Sequence, residues 1–90
     1  HHLSDKEIHD RDIDWLRESD LIIAEVTQPS LGVGYEIGRA LEWGKPIIVL
    51  YRINGDKKLS AMIAGVDEID VFRYTTLEEA KKYLDSRLGS

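Results

Sequence analysis

Two short apolar runs, Leu21-Ile22-Ile23-Ala24-Glu25-Val26 and Pro46-Ile47-Ile48-Val49-Leu50-Tyr51, constrain the fold of this chain more than any other feature. Nearly continuous apolar strands belong to parallel sheets covered on both faces, whereas a strand with one wet face alternates. Between the runs, Val33, Ile37, Ala40 and Leu41 recur at helical spacing, which predicts a helix over 34–43 with a stop at Gly44 and Pro46. Strand, helix, strand is a βαβ unit, and its two strands must lie parallel in one sheet.

The flanks extend that unit. Ser4-Asp5-Lys6-Glu7 has the spacing of a capping box, and a helix is expected over 5–19. Its apolar stripe is read as Ile8, Trp15 and Leu16, with Asp12 the one acid inside it. After the second strand come a polar turn at Asn54-Gly55-Asp56, a turn or two of helix over 59–64, and a short strand over 70–74. Thr76-x-x-Glu79 then caps a last helix with Leu77, Ala80, Leu84 and Leu88 on its apolar positions. The expected architecture is one α/β domain over 1–90, a three-layer open parallel sheet of flavodoxin or Rossmann type. With only three strands and an opening helix, it reads as incomplete at its N-terminus.

Composition narrows the function classes. Twelve Lys and Arg against 17 Asp and Glu give a net charge of −5, with the basic residues scattered, so no nucleic-acid footprint is present. The absence of cysteine excludes disulfides and thiolate metal sites. No apolar stretch approaches the roughly 18 residues of a membrane span, and no leader pattern opens the sequence, so a cytoplasmic protein is expected.

Ligands of open parallel sheets bind beyond the carboxyl ends of the strands, which directs attention to Thr27–Glu36. Ser30, Gly32 and Gly34 beside a helix start suit an anion, although Gly32, Gly34 and Gly38 miss the dinucleotide spacing and a tight strand-to-helix turn explains them equally well. Glu36 is placed in the first turn of that helix, where it either reaches the crevice or simply complements the dipole. Asp12, expected to be desolvated within an apolar stripe, is either a functional acid or a capped or paired one. Two carboxylates on one crevice suit glycoside chemistry.

The run Ala24-Glu25-Val26-Thr27-Gln28-Pro29-Ser30-Leu31-Gly32-Val33-Gly34-Tyr35-Glu36-Ile37-Gly38-Arg39-Ala40 resembles the signature of the 2′-deoxynucleoside 5′-monophosphate N-hydrolases, within the nucleoside 2-deoxyribosyltransferase superfamily. The likeness extends over roughly 8–63, through Ile8–Leu16 and on to Leu59-Ser60-Ala61-Met62-Ile63. It implies that Glu36 is a nucleophile forming a deoxyribosyl ester and that Asp12 is the second active-site carboxylate. It further implies that Ser30 and the Gly32 backbone hold the 5′-phosphate, and that Ser60, with Met62, serves the neighbouring subunit of a homodimer. Read without the resemblance, Ser60 is a helix N-cap, His9 an exposed helix histidine and Arg52 a strand-end cation. The strand, phosphate loop, tyrosine and histidine that open family members have no counterpart here, and His1 and His2 receive no role. Neither metal nor organic cofactor is expected. The resemblance predicts hydrolysis of a deoxynucleotide; transfer of the sugar to a second base and nucleotide binding without turnover are the alternatives.

Overall fold

The computed structural model describes residues 2–89, so His1 lies outside the described residues. Three strands, β1 (Ile22–Glu25), β2 (Ile47–Arg52) and β3 (Ile69–Tyr74), form a parallel sheet in the order β1-β2-β3. Ile22 stands beside Ile47, and Ile47 beside Ile69, which aligns the carboxyl ends of all three strands along one rim. Four helices surround the sheet: α1 (Asp5–Glu18), α2 (Leu31–Glu42), the single turn α3 (Ala61–Ala64) and α4 (Leu77–Arg87).

The pleat sorts the side chains into two cores. Ile47, Val49 and Ile69 pack with Ile13 and Leu16 of α1 and Ile37 and Ala40 of α2, and Ile63 of α3 leans on the same cluster. Ile48, Leu50 and Tyr74 point to the other face, where Ala80, Tyr83 and Leu84 of α4 cover them. The result is a three-layer α/β fold of Rossmann-like type, with α1 to α3 on one face and α4 on the other. Among the described residues, no helix is long and apolar enough to cross a membrane.

Local chemistry explains the helix ends. Both capping boxes form, Ser4 with Glu7 and Thr76 with Glu79. At the end of α2, Gly44 takes a φ of 69°, while its N–H and that of Lys45 close onto Leu41 O and Ala40 O. That left-handed turn suits glycine, which has no Cβ to clash. Lys45 Nζ donates to the carbonyls of Arg17 and Ser19 at 2.6 and 2.7 Å, covering the open carbonyl end of α1.

Three expectations are corrected here. β1 is not covered on both faces: its residues alternate between half-buried and exposed, and Ile23 is 43% exposed, because α4 lies over β2 and β3 rather than over β1. The buried residues of α1 are Ile13 and Leu16, whereas Trp15 is 61% exposed. Asp12 is therefore half-buried at the margin of the stripe, with its carboxylate 3.3 Å from Arg11. Helix α2 begins at Leu31, not Gly34, because the Ser30 hydroxyl accepts the Val33 N–H and starts the helix through two glycines. Trp43 packs against the α1–α2 core, and the guanidinium groups of Arg17 and Arg39 each lie over its ring.

Candidate active site

The earlier start of α2 moves Glu36 into the second turn and places Gly32 and Gly34 inside the helix. What remains of the glycine loop is the segment 26–30 between β1 and the Ser30 cap. The Ser30 hydroxyl takes the Val33 N–H and the Ser30 carbonyl takes the Gly34 N–H. The first-turn N–H groups of Leu31 and Gly32 lack an intrahelical acceptor by construction and face out of the helix end, where an anion is favoured.

Among the described residues, two cavities stand out on the face covered by α1 to α3. The smaller, about 400 Å³, runs along β1 beneath α1 and is lined by Asp12, Trp15, Ala24 and Glu36 among others. The larger, about 860 Å³, lies between α2 and α3 and is lined by Ser30, Tyr51, Ser60 and Met62 among others. Val33 and Ile37 line both, so α2 is the wall between them. The fold thus brings Asp12 and Glu36 together, and separately brings Ser30, Ser60 and Met62 together. Gly32 lies exposed in the first turn of α2 and lines neither cavity.

Electrostatics distinguishes Glu36 from the other acids. Its carboxyl is pushed above the usual glutamate range, first by burial and then by the negative charge of Asp12. The Ser60 hydroxyl accepts the Met62 N–H at 3.2 Å and caps α3, and Met62 itself is 81% exposed. His9 and Arg52 lie on the surface. Among the described residues no cluster of three or more His, Asp or Glu side chains is arranged to hold a metal.

Sequence reasoning missed Glu25. Its carboxylate accepts from the Thr27 N–H and the Thr27 hydroxyl, each at 2.7 Å, and from the Tyr74 hydroxyl. Thr27 Oγ1 in turn accepts the Arg52 N–H at 2.9 Å, so one network ties the carboxyl ends of β1, β2 and β3. Burial opposes the Glu25 charge, yet these hydrogen bonds and the Arg52 cation outweigh it and hold the carboxyl below its usual range. A glutamate inside an apolar run, two residues before a threonine, was the visible half of this signal; its tyrosine partner lies on another strand.

Comparison with known proteins identifies relatives of this chain. The family model for nucleoside 2-deoxyribosyltransferase matches residues 1–82. A 5-hydroxymethyl-dUMP N-hydrolase of Tetraodon nigroviridis is 59% identical over 68 residues, 76% of this chain and 48% of the relative. The mouse protein of the same name is 49% identical over 84 residues, covering 93% of this chain and 47% of its own, and that of Danio rerio is 55% identical over 75, covering 83% and 52%. The chain spans about half the length of the curated relatives it matches. On that match, over most of its length, the chain belongs to the nucleoside 2-deoxyribosyltransferase family.

Proposed function

We propose that this chain forms part of an N-glycosidase that hydrolyses 2′-deoxynucleoside 5′-monophosphates to a free base and 2-deoxyribose 5-phosphate. The observation that carries the reading is the pairing of Asp12 and Glu36 in one crevice, with Glu36 desolvated and held close enough to Asp12 to feel its charge. The relatives' names place a deoxynucleoside monophosphate in the hands of similar chains, and 5-hydroxymethyl-dUMP is the first substrate to try.

Glu36 attacks C1′ as the bond to the base breaks, the base taking the bonding electron pair and a proton. Water then displaces the glutamyl ester, giving two inversions and net retention at C1′. Asp12, at the rim of the same crevice, orients the sugar or manages the proton. Because the nucleophile must be ionised, base release rises with pH through the titration of Glu36, above the value of about 4.3 for an ordinary glutamate.

Ser30 and Gly32 receive the 5′-phosphate. A hydroxyl that accepts a capping N–H still has its own proton to donate, and the N–H groups of Leu31 and Gly32 add the positive end of α2. Ser60 and Met62 share the cavity of Ser30, across the α2 wall from Asp12 and Glu36, and it is the family resemblance that assigns them to the substrate of a second copy. The assembly is a homodimer with shared sites, in the cytoplasm, without a cofactor. Leu31 at 96% and Met62 at 81% exposure are apolar side chains that such an interface would cover. Sedimentation at micromolar concentration then gives a dimer, and a clean monomer removes Ser60 and Met62 from the site.

The deciding experiment follows base release from 5-hydroxymethyl-dUMP with and without a free acceptor base. Hydrolysis alone supports the proposal, a new nucleotide made only with acceptor indicates transfer, and binding without release indicates a sensing module.

A further inference from the structure

Helix α1 carries Asp12 but is fastened at only a few places. Ile13 and Leu16 enter the core, and Lys45 together with the Arg17–Trp43 contact secures the carboxyl end. Toward the amino end, one turn before Asp12, His9 crosses to α2. Its Nε2 lies 2.8 Å from the hydroxyl of Tyr35, the residue next to Glu36, and the two rings are 5.6 Å apart. Arg39 Nη1 donates to the same hydroxyl at 2.9 Å.

The protons fit one arrangement without conflict. Arginine is donor only, so the Tyr35 hydroxyl accepts from Arg39 and is free to donate its proton to His9 Nε2. His9 then carries its proton on Nδ1, which lies 3.0 Å from Asp10 Oδ1, while Lys6 holds the other oxygen of Asp10 at 2.6 Å. One hydrogen-bonded chain thus runs from Lys6 through Asp10, His9 and Tyr35 to Arg39, and along α1 Asp12 sits between this contact and the Arg17–Trp43 contact.

We propose that His9, Tyr35 and Arg39 form a positioning clamp that fixes α1 against α2 and thereby sets the separation of the Asp12 and Glu36 carboxylates. Its consequence for turnover rests on the reading of Glu36 as the nucleophile; its consequence for geometry does not. Loosening the clamp lets the N-terminal half of α1 swing away from α2, and Asp12 moves off Glu36. The negative charge that helps to raise the Glu36 carboxyl then weakens.

The test is a carbon-13 NMR titration of the Glu36 carboxyl in the wild type and in Tyr35→Phe, His9→Ala and His9→Gln, with base release assayed on the same proteins. His9 and Tyr35 are both exposed, so neither substitution opens the core. In Tyr35→Phe and His9→Ala the Glu36 midpoint should move down toward that of an ordinary glutamate. Base release should lose about two- to tenfold in kcat, the scale of one hydrogen bond, with KM little changed. His9→Gln, which keeps a polar atom at the same reach, should restore both readouts. An unchanged Glu36 midpoint in Tyr35→Phe and His9→Ala overturns the clamp. A wild type that releases no base overturns the proposed reaction, and the titration still decides the clamp.

Discussion

Glu25 ends β1 and Glu36 lies in the second turn of α2, and the fold treats these two glutamates in opposite ways. Glu25 lies on the rim of the sheet with hydrogen bonds to Thr27 and Tyr74, and its carboxyl is held low. Glu36 lies half-buried beside Asp12, and its carboxyl is pushed up. A carboxylate whose lone pairs are filled by fixed donors is a structural anchor, because its charge is satisfied and it has little left to offer a ligand. A desolvated carboxylate beside a second acid is a poor contributor to stability and a good candidate for chemistry. Both line the crevice beneath α1, and the difference separates the carboxylate that holds the strands from the one proposed to act.

The sharpest way to break this comparison is to neutralise each acid in turn. Glu36→Gln should reduce base release by roughly a thousandfold or more while leaving nucleotide binding largely intact. It should also raise the melting temperature at neutral pH. The folded state favours the protonated form of Glu36, so its ionisation costs stability as pH rises through its titration, and glutamine removes that cost. Below the unfolded value near about 4.3 the wild type and the variant should melt alike.

Ser30→Ala comes next in size. Loss of a hydrogen bond to a charged group should cost about 1.5–3 kcal/mol, roughly ten- to a hundredfold in kcat/KM for the monophosphate. The unphosphorylated deoxynucleoside should be affected far less, although the lost cap on Val33 will lower stability by about 1 kcal/mol. Equal losses for both substrates would mean that Ser30 shapes α2 rather than holding phosphate.

Tyr74→Phe probes the anchor. It should lower unfolding free energy by about 1.5–3 kcal/mol in a urea titration, with base release changed much less than in Glu36→Gln. The pH dependence has the opposite sign to that of Glu36. The stability that Glu25 contributes is present above its unfolded value and is lost as pH falls through its lowered folded one, so the variant should show a shallower acid-side decline. A collapse of activity with stability intact would place Glu25 in the chemistry instead.

Much of the scaffold was legible in the chain because its signals are local. Ser4–Glu7 and Thr76–Glu79 announce both capping boxes, and the β2 run is buried along all but its last residue. The start of α2 was not legible, since Gly32 and Gly34 are weak helix formers and the Ser30 cap that overrides them looks like any loop serine. The half-covered β1 was misread because an apolar strand run is the same whether one helix layer or two lie over it. Asp12 and Glu36 were found as residues, yet only the packing of α1 on α2 places both on one crevice. Glu25 needed Tyr74, and a contact across the sheet leaves no trace in local spacing.

The central claim is that Glu36, and not its anchored neighbour, carries the deoxyribosyl group. The direct measurement is mass spectrometry of protein quenched during turnover of a 2′-fluorinated deoxynucleoside monophosphate, whose electron withdrawal slows loss of the ester. The account predicts a sugar phosphate adduct on the peptide containing Glu36 and none in Glu36→Gln. Base release with Glu36 unmodified, or an adduct mapped to Glu25 or Asp12, would contradict it.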